Sequence, residues 1–201
     1  MGLAQKVPHL TPMEYLTLER AAPTKSEFYE GEMFAMAGGT AVHSLIGTNV
    51  TGEFRNKLRG KKCVPYNADL RIQVEANGLF TYPDLSVICG PLQFADGTDD
   101  TVTNPAVLVE VLSPSTEAYD RGQKFLLYRQ IPSLREYLLV SQHEPLLEMF
   151  IRQEDNLWSL REAAGLDARL EIPSLEITVS LAEIYANVTF PPQPLRVVPS
   201  K

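Results

Sequence analysis

The sequence predicts an α/β fold, and three observations carry that prediction. An apolar run at residues 106–109 breaks at Ser113-Pro114-Ser115-Thr116 into a helical pattern. A second helical pattern spans residues 41–58, with Val42, Leu45, Ile46, Asn49, Val50, Phe54 and Leu58 near one face. Two β-like segments, residues 63–74 and 82–89, flank Asn77-Gly78, a strong hairpin turn.

The remaining elements follow in order. Thr11-Pro12-Met13-Glu14 opens a short helix, with Thr11 as N-cap, Pro12 at the first helical position and Glu14 as the capping-box acid. Residues 26–36 read as a hairpin turning at Glu30-Gly31. Gly47 and Gly52 weaken the helix at 41–58 without breaking it. In the segment 63–74, Ile72 and Val74 alternate with Arg71 and Gln73. Residues 92–104 are polar and read as a loop. A strand at 106–112 leads to a helix at about 120–130, opened by a capping-box pair, Asp120 and Gln123. A strand at 136–140, a hairpin over 146–161 and a short helix near 180–186 complete the chain.

With 201 residues and 44% hydrophobic content, the chain can bury one proper core. A single domain over residues 1–201 is expected, with its core at about 10–188 and a Pro-rich arm at 189–201. No window approaches the ~18 uninterrupted apolar residues of a membrane span. The N-terminal ten residues lack the basic and apolar regions of a signal peptide and the serine or threonine of a myristoylation signal. Cys63 and Cys89 match no metal or redox spacing, so Cys89 is expected as a small buried residue and a reducing cytoplasm as the location. The net charge of −7 counts against nonspecific nucleic-acid binding; Arg55, Lys57, Arg59, Lys61 and Lys62 form the densest basic strip.

The chemistry converges on three residues. Glu110 sits inside an apolar strand, where a carboxylate is costly unless paired. Strand parity puts it on one face with Leu108 and Leu112. Asp84 follows Tyr82-Pro83 and enters a strand; if that strand lies beside residues 106–112, the two carboxylates meet. Lys124 lies on the next helix, sharing a face with Arg121 and Tyr128 at helical spacing. Adjacent carboxylates repel unless a cation intervenes, and a hard divalent ion such as Mg²⁺ suits their oxygens.

Pro83-Asp84 followed by Glu110-Val111-Leu112 resembles the PD-(D/E)XK nuclease superfamily. The fuller run is more specific. Tyr82-Pro83-Asp84, Leu108-Val109-Glu110-Val111-Leu112-Ser113-Pro114-Ser115-Thr116, Asp120-Arg121, Lys124, Tyr128 and Glu136-Tyr137 resemble the Uma-type endonuclease family, as do Glu27, Gly31, Glu32 and His43. The resemblance covers roughly residues 10–188. It implies a restriction-endonuclease-like mixed β-sheet flanked by helices, here with an added N-terminal helix and hairpin.

The resemblance further implies Asp84, Glu110 and Lys124 as catalytic residues. Asp84, Glu110 and the Val111 carbonyl would be ligands for Mg²⁺, with Mn²⁺ as a substitute. Glu27, His43 and Tyr128 would support the site or touch substrate. The activity implied is Mg²⁺-dependent hydrolysis of DNA by a homodimer. Two alternatives stand beside it: an inactive dimeric binding module of the same fold, and a metal-dependent hydrolase of a smaller phosphoester. The chain departs from the superfamily at residue 112, where leucine occupies the place of the motif lysine and Lys124 is the substitute.

Overall fold

The computed structural model describes residues 9–36, 38–95 and 97–190. The N-terminal signal readings and the Pro-rich segment 191–201 lie outside the described residues.

Helix α1 (Pro12–Ala21) begins as expected: the Thr11 hydroxyl accepts from the Glu14 amide, and the Glu14 carboxylate accepts from the Thr11 amide. Strands β1 (Ser26–Tyr29) and β2 (Glu32–Ala35) form the hairpin. Its turn residues have φ of 50° at Glu30 and 85° at Gly31, the left-handed pair that suits the twist of a two-residue hairpin. Helix α2 (Ala41–Lys57) is capped by Thr40, whose hydroxyl accepts from the His43 amide.

The expected strand at 63–74 is two strands in different sheets. β3 (Cys63–Asn67) and β4 (Arg71–Val74) are separated by a turn in which the Asn67 side chain accepts from the Asp69 amide. The expected strand at 82–89 is likewise shorter. β5 (Leu79–Thr81) pairs with β4 across the Asn77-Gly78 turn, and Tyr82-Pro83-Asp84 then carries the chain to β6 (Leu85–Cys89) in the other sheet. The polar stretch 92–104 holds a two-residue strand, β7 (Thr101–Val102), parallel to β4.

Next come β8 (Pro105–Val111), α3 (Glu117–Tyr119), a π-turn at Asp120–Lys124, α4 (Phe125–Tyr128) and β9 (Glu136–Val140). β8 and β9 are parallel, and the helical segment is their crossover. β10 (Leu146–Arg152) and β11 (Trp158–Ala164) form the expected hairpin. A further hairpin, β12 (Arg169–Ile172) with β13 (Ile177–Ser180), was not anticipated; α5 (Leu181–Ile184) follows it.

Among the described residues these strands make a five-stranded sheet ordered β2-β1-β5-β4-β7, a six-stranded sheet ordered β11-β10-β9-β8-β6-β3, and the β12-β13 pair. Strand parity divides the core. Val107, Val109 and Val111 pack with α2 residues Ile46, Val50 and Phe54. Leu108 and Leu112 pack on the opposite side with Leu127, Tyr128 and the β4–β5 residues Ile72, Val74 and Leu79. A smaller cluster of Tyr15, Leu16, Phe28 and Phe80 seats α1 on the five-stranded sheet.

The two cysteines correct an expectation. Cys63 and Cys89 stand directly opposite each other in the β3–β6 ladder and form a disulfide. Their separation of 26 residues hid a pairing that only sheet register creates. Among the described residues no helix is long and apolar enough to cross a membrane.

Candidate active site

β6 and β8 are antiparallel neighbours with Leu85 opposite Val109. Carrying that register one residue further sets Asp84 against Glu110. Every residue of β8 is buried, Glu110 included at 5% exposure. Asp84 stands at the crossing between the two sheets and is tied to the end of β8: its Oδ2 accepts from the Val111 amide at 2.7 Å. His43, from the first turn of α2, brings Nε2 to 3.4 Å from the same oxygen. The Asp84 carboxylate holds the His43 pKa above the usual histidine value. Burial opposes it, while the Val111 carbonyl and Asp120 add to it.

Lys124 reaches this point from the π-turn. Its Nζ lies 3.0 Å from Glu110 Oε1, 3.0 Å from Glu27 Oε1 and 3.5 Å from Asp120 Oδ1, with the residue only 5% exposed. Burial pulls the lysine pKa down, but Glu110, Glu27 and Asp120 more than reverse this and hold it well above the ordinary value. The Tyr128 hydroxyl donates to Glu110 Oε1 at 2.8 Å, and the Thr81 hydroxyl to Glu27 Oε1 at 2.5 Å. Burial raises the Glu110 pKa to about 8; Lys124 opposes the rise, and Asp120 and Asp84 add to it. Asp120 is raised mainly by burial, again against Lys124.

Asp84, Glu110, Val111, Lys124, Glu27, His43 and Tyr128 are thus brought together. Arg121 is not. It pairs with Glu117 and Glu148 instead of sharing the Lys124 face. A π-turn has more residues per turn than an α-helix, so the residue aligned one turn before Lys124 is Asp120 and not Arg121. Sequence reasoning treated Asp120 as a helix cap and missed it as part of the site; its i, i+4 spacing to Lys124 was the available signal. It also missed Thr81, which register places opposite Glu27 in the next strand. Leu112, in the motif-lysine position, is fully committed to the core.

The basic strip resolves elsewhere. In the basic strip, Lys57 pairs with Glu53, and Lys61 donates to the Leu175 and Glu176 carbonyls. A cleft of about 360 Å³ lies between Glu19, Lys25, Asp69, Arg71, Tyr82 and Asp100, and includes none of the seven residues above.

The donor set suits a hard cation. Three carboxyl groups, Glu27, Glu110 and Asp120, gather around Lys124, and a fourth, Asp84, pairs with His43. Among the described residues no three Asp, Glu, His or Cys side chains are gathered closely enough to hold an ion alone. Mg²⁺ does not require that: it binds through one or two carboxylates and keeps several waters.

Known proteins bear on this arrangement. Residues 12–183 match the family described as "Uma2: Putative restriction endonuclease". The uncharacterized protein slr1290 of Synechocystis sp. is 39% identical over 183 residues, covering 91% of this chain and 95% of its own. The uncharacterized protein sll1609 of the same organism is 35% identical over 168 residues, covering 84% and 95%. A crystal structure of a "putative nuclease belonging to DUF820" from Anabaena variabilis matches with a TM-score of 0.71 at 18% identity, covering 88% of this chain and 98% of that one. That structure shares the mixed α/β fold. With its model spanning the chain from α1 to α5, the chain belongs to the Uma2 family.

Proposed function

We propose that the protein is a Mg²⁺-dependent endonuclease that hydrolyses DNA phosphodiester bonds, with Mn²⁺ able to replace Mg²⁺. The observation that carries the reading is the place of Lys124. Its ammonium lies 3.0 Å from Glu110, so a helix supplies the cation that Leu112 cannot. The family description, a restriction endonuclease, agrees with this reading.

Asp84, Glu110 and the Val111 carbonyl would hold the ion. When bound, the ion supplies Lewis acidity and lowers the pKa of water at the site. Lys124 stays charged among three carboxylates, so its role is to donate hydrogen bonds to the attacking water and to the phosphoryl oxygens as charge builds there. Tyr128 fixes the Glu110 carboxylate, and His43 and the Val111 amide fix Asp84. Cutting a duplex on both strands needs two such sites, so the reading includes a homodimer; a cytoplasmic location also belongs to it.

The test uses supercoiled and linear DNA with Mg²⁺, Mn²⁺ or EDTA. Wild type should nick or cut in either metal and not in EDTA, and Asp84→Ala and Lys124→Ala should each lose at least about 100-fold in rate, the scale of a removed transition-state donor. Equal cleavage by wild type and both variants, or none by wild type, would overturn the reading.

A further inference from the structure

Ser86, the second residue of β6, is fully buried, and no protein group among the described residues hydrogen-bonds its hydroxyl. Two other buried side-chain atoms share that state, but each belongs to a group satisfied elsewhere. Glu148 pairs with Arg121, and Arg152 donates through another nitrogen to the Arg129 and Ile131 carbonyls. A serine side chain has no second polar atom to use. A buried hydroxyl without a partner is costly, and such a group marks a place for a water or an ion.

Register shows what that place adjoins. Ser86 stands directly opposite Leu108 in the β6–β8 ladder, so it shares the Leu108 face, which is also the face of Glu110. Asp84 precedes Ser86 by two residues, and the same register sets it against Glu110. Glu110 is therefore the diagonal neighbour of Ser86, with β-carbons about 7 Å apart or less. Each of the two carboxylates is engaged on one oxygen. Asp84 meets the Val111 amide and His43 at Oδ2, and Glu110 meets Tyr128 and Lys124 at Oε1. Among the described residues no hydrogen bond or ion pair falls on Asp84 Oδ1 or Glu110 Oε2. One hydroxyl and two carboxylate oxygens thus stand unused on one face of neighbouring strands.

We infer that Ser86 is a positioning residue of the candidate metal site: its hydroxyl holds a water against the open oxygens of Asp84 and Glu110, and that water sets the two carboxylates for the ion. The inference rests on the metal-site part of the proposed function. A buried water needs about two to four polar partners, and these three atoms supply them. One water spans about 4.5 Å between two hydrogen-bonded oxygens, a gap that a serine and a diagonal carboxylate can close within the ladder. Groups that hydrogen-bond a ligating carboxylate fix its orientation and tune metal affinity without touching the metal.

The metal alone is the probe. Free Mn²⁺ is titrated by electron paramagnetic resonance against wild type, Ser86→Ala and Ser86→Thr, without DNA. Ser86→Ala should weaken Mn²⁺ binding roughly 10- to 100-fold, and Ser86→Thr, which keeps the hydroxyl, should restore it. Urea unfolding in EDTA should find Ser86→Ala close to wild type, since the lost oxygen makes no protein hydrogen bond. Should the added methyl unsettle Ser86→Thr, the comparison of Ser86→Ala with wild type decides alone.

Unchanged Mn²⁺ affinity in Ser86→Ala would overturn the assignment. So would a loss that a stably folded Ser86→Thr does not restore, or one matched by a fall in stability in EDTA. A wild type that binds no Mn²⁺ would overturn the assignment and the metal reading together. A wild type that cuts DNA in Mg²⁺, with full Mn²⁺ affinity in Ser86→Ala, would overturn the assignment and leave the nuclease reading standing. Weakened binding in Ser86→Ala from a wild type that cuts nothing would keep the assignment and sink the nuclease reading alone.

Discussion

Replacing Lys124 by methionine should destabilise the metal-free protein in a way that depends strongly on pH. The lysine sits within 3.0 Å of Glu110 and Glu27 and 3.5 Å of Asp120, all buried. Removing one partner from a buried ion pair costs about 3–5 kcal/mol, because the partner left behind keeps its desolvation penalty. Lys124 itself adds no pH dependence near neutrality. Its folded pKa is raised, so its stabilisation is complete below the ordinary lysine value and is lost only as pH rises through the higher one. Glu110 behaves differently. Its folded pKa of about 8 lies above its ordinary value of 4.5, so between the two the folded chain keeps a proton that the unfolded chain releases, and stability falls as pH climbs. Methionine removes the attraction that opposes this shift. At about pH 5.5 the Glu110 carboxyl is neutral and the variant should lose less; at about pH 8.5 it is charged and the variant should lose most of the 3–5 kcal/mol. That corresponds to a fall in Tm of roughly 6–20 °C for a chain of this size. Urea unfolding followed by far-UV circular dichroism in EDTA reads both conditions. A loss below about 1 kcal/mol at the higher pH, or the same loss at both, would refute the account of Lys124 as the buried partner of Glu110.

Three other perturbations are also decisive. Tyr128→Phe deletes the hydroxyl that donates to Glu110 at 2.8 Å and should cost about 1.5–3 kcal/mol in urea unfolding; a cost under about 0.5 kcal/mol would mean that bond is not made in solution. Asp100, held down to about 2 first by its hydrogen bonds from Arg20, stabilises the fold above its ordinary value of 3.8 and loses that contribution as pH falls through about 2. Asp100→Asn should therefore flatten the acid limb of a stability profile by less than about 1 kcal/mol, since the pair is solvent-screened; an effect confined to neutral pH would contradict this. Reducing the Cys63–Cys89 bond should lower stability by about 3.5 kcal/mol, the entropy of opening a loop of this length; alkylation of both thiols without reductant would show that the bond does not form.

Much of this was legible from residues alone, where the determinants are local. The Thr11–Glu14 capping box, the Glu30-Gly31 turn and the face shared by Leu108, Glu110 and Leu112 all depend on a few neighbouring positions, and each stands in the structure. What escaped depends on partners distant in sequence. Residues 63–74 alternate well enough for one strand, yet the Asn67–Asp69 turn sends the two halves to different sheets. Pro83 does the same for residues 79–89. The disulfide and the Thr81–Glu27 contact are products of register, which no short window contains. Strand β11 carries exposed residues on most of its length, so its apolar signal is weak although the strand is long.

The place of Lys124 follows from the same division between local and distant causes. In β8 the position after Val111 continues the buried face, and a leucine there completes the packing against Leu127, Tyr128 and Ile131. A lysine at that point would put a charge into this cluster. A cation on the crossover helix leaves the strand apolar around Glu110 and makes the charged cluster conditional on tertiary closure. Lys124 meets Glu110 only when the helical segment lies across the sheet, and it meets Glu27 only when the five-stranded sheet packs from the other side. The π-turn aligns Asp120, Lys124 and Tyr128 on the face where both sheets present carboxylates. A widened turn has poorer hydrogen-bond economy than an α-turn and persists where side-chain placement outweighs it. The one irregular turn of this helix therefore falls where the backbone must serve the charged cluster ahead of its own geometry.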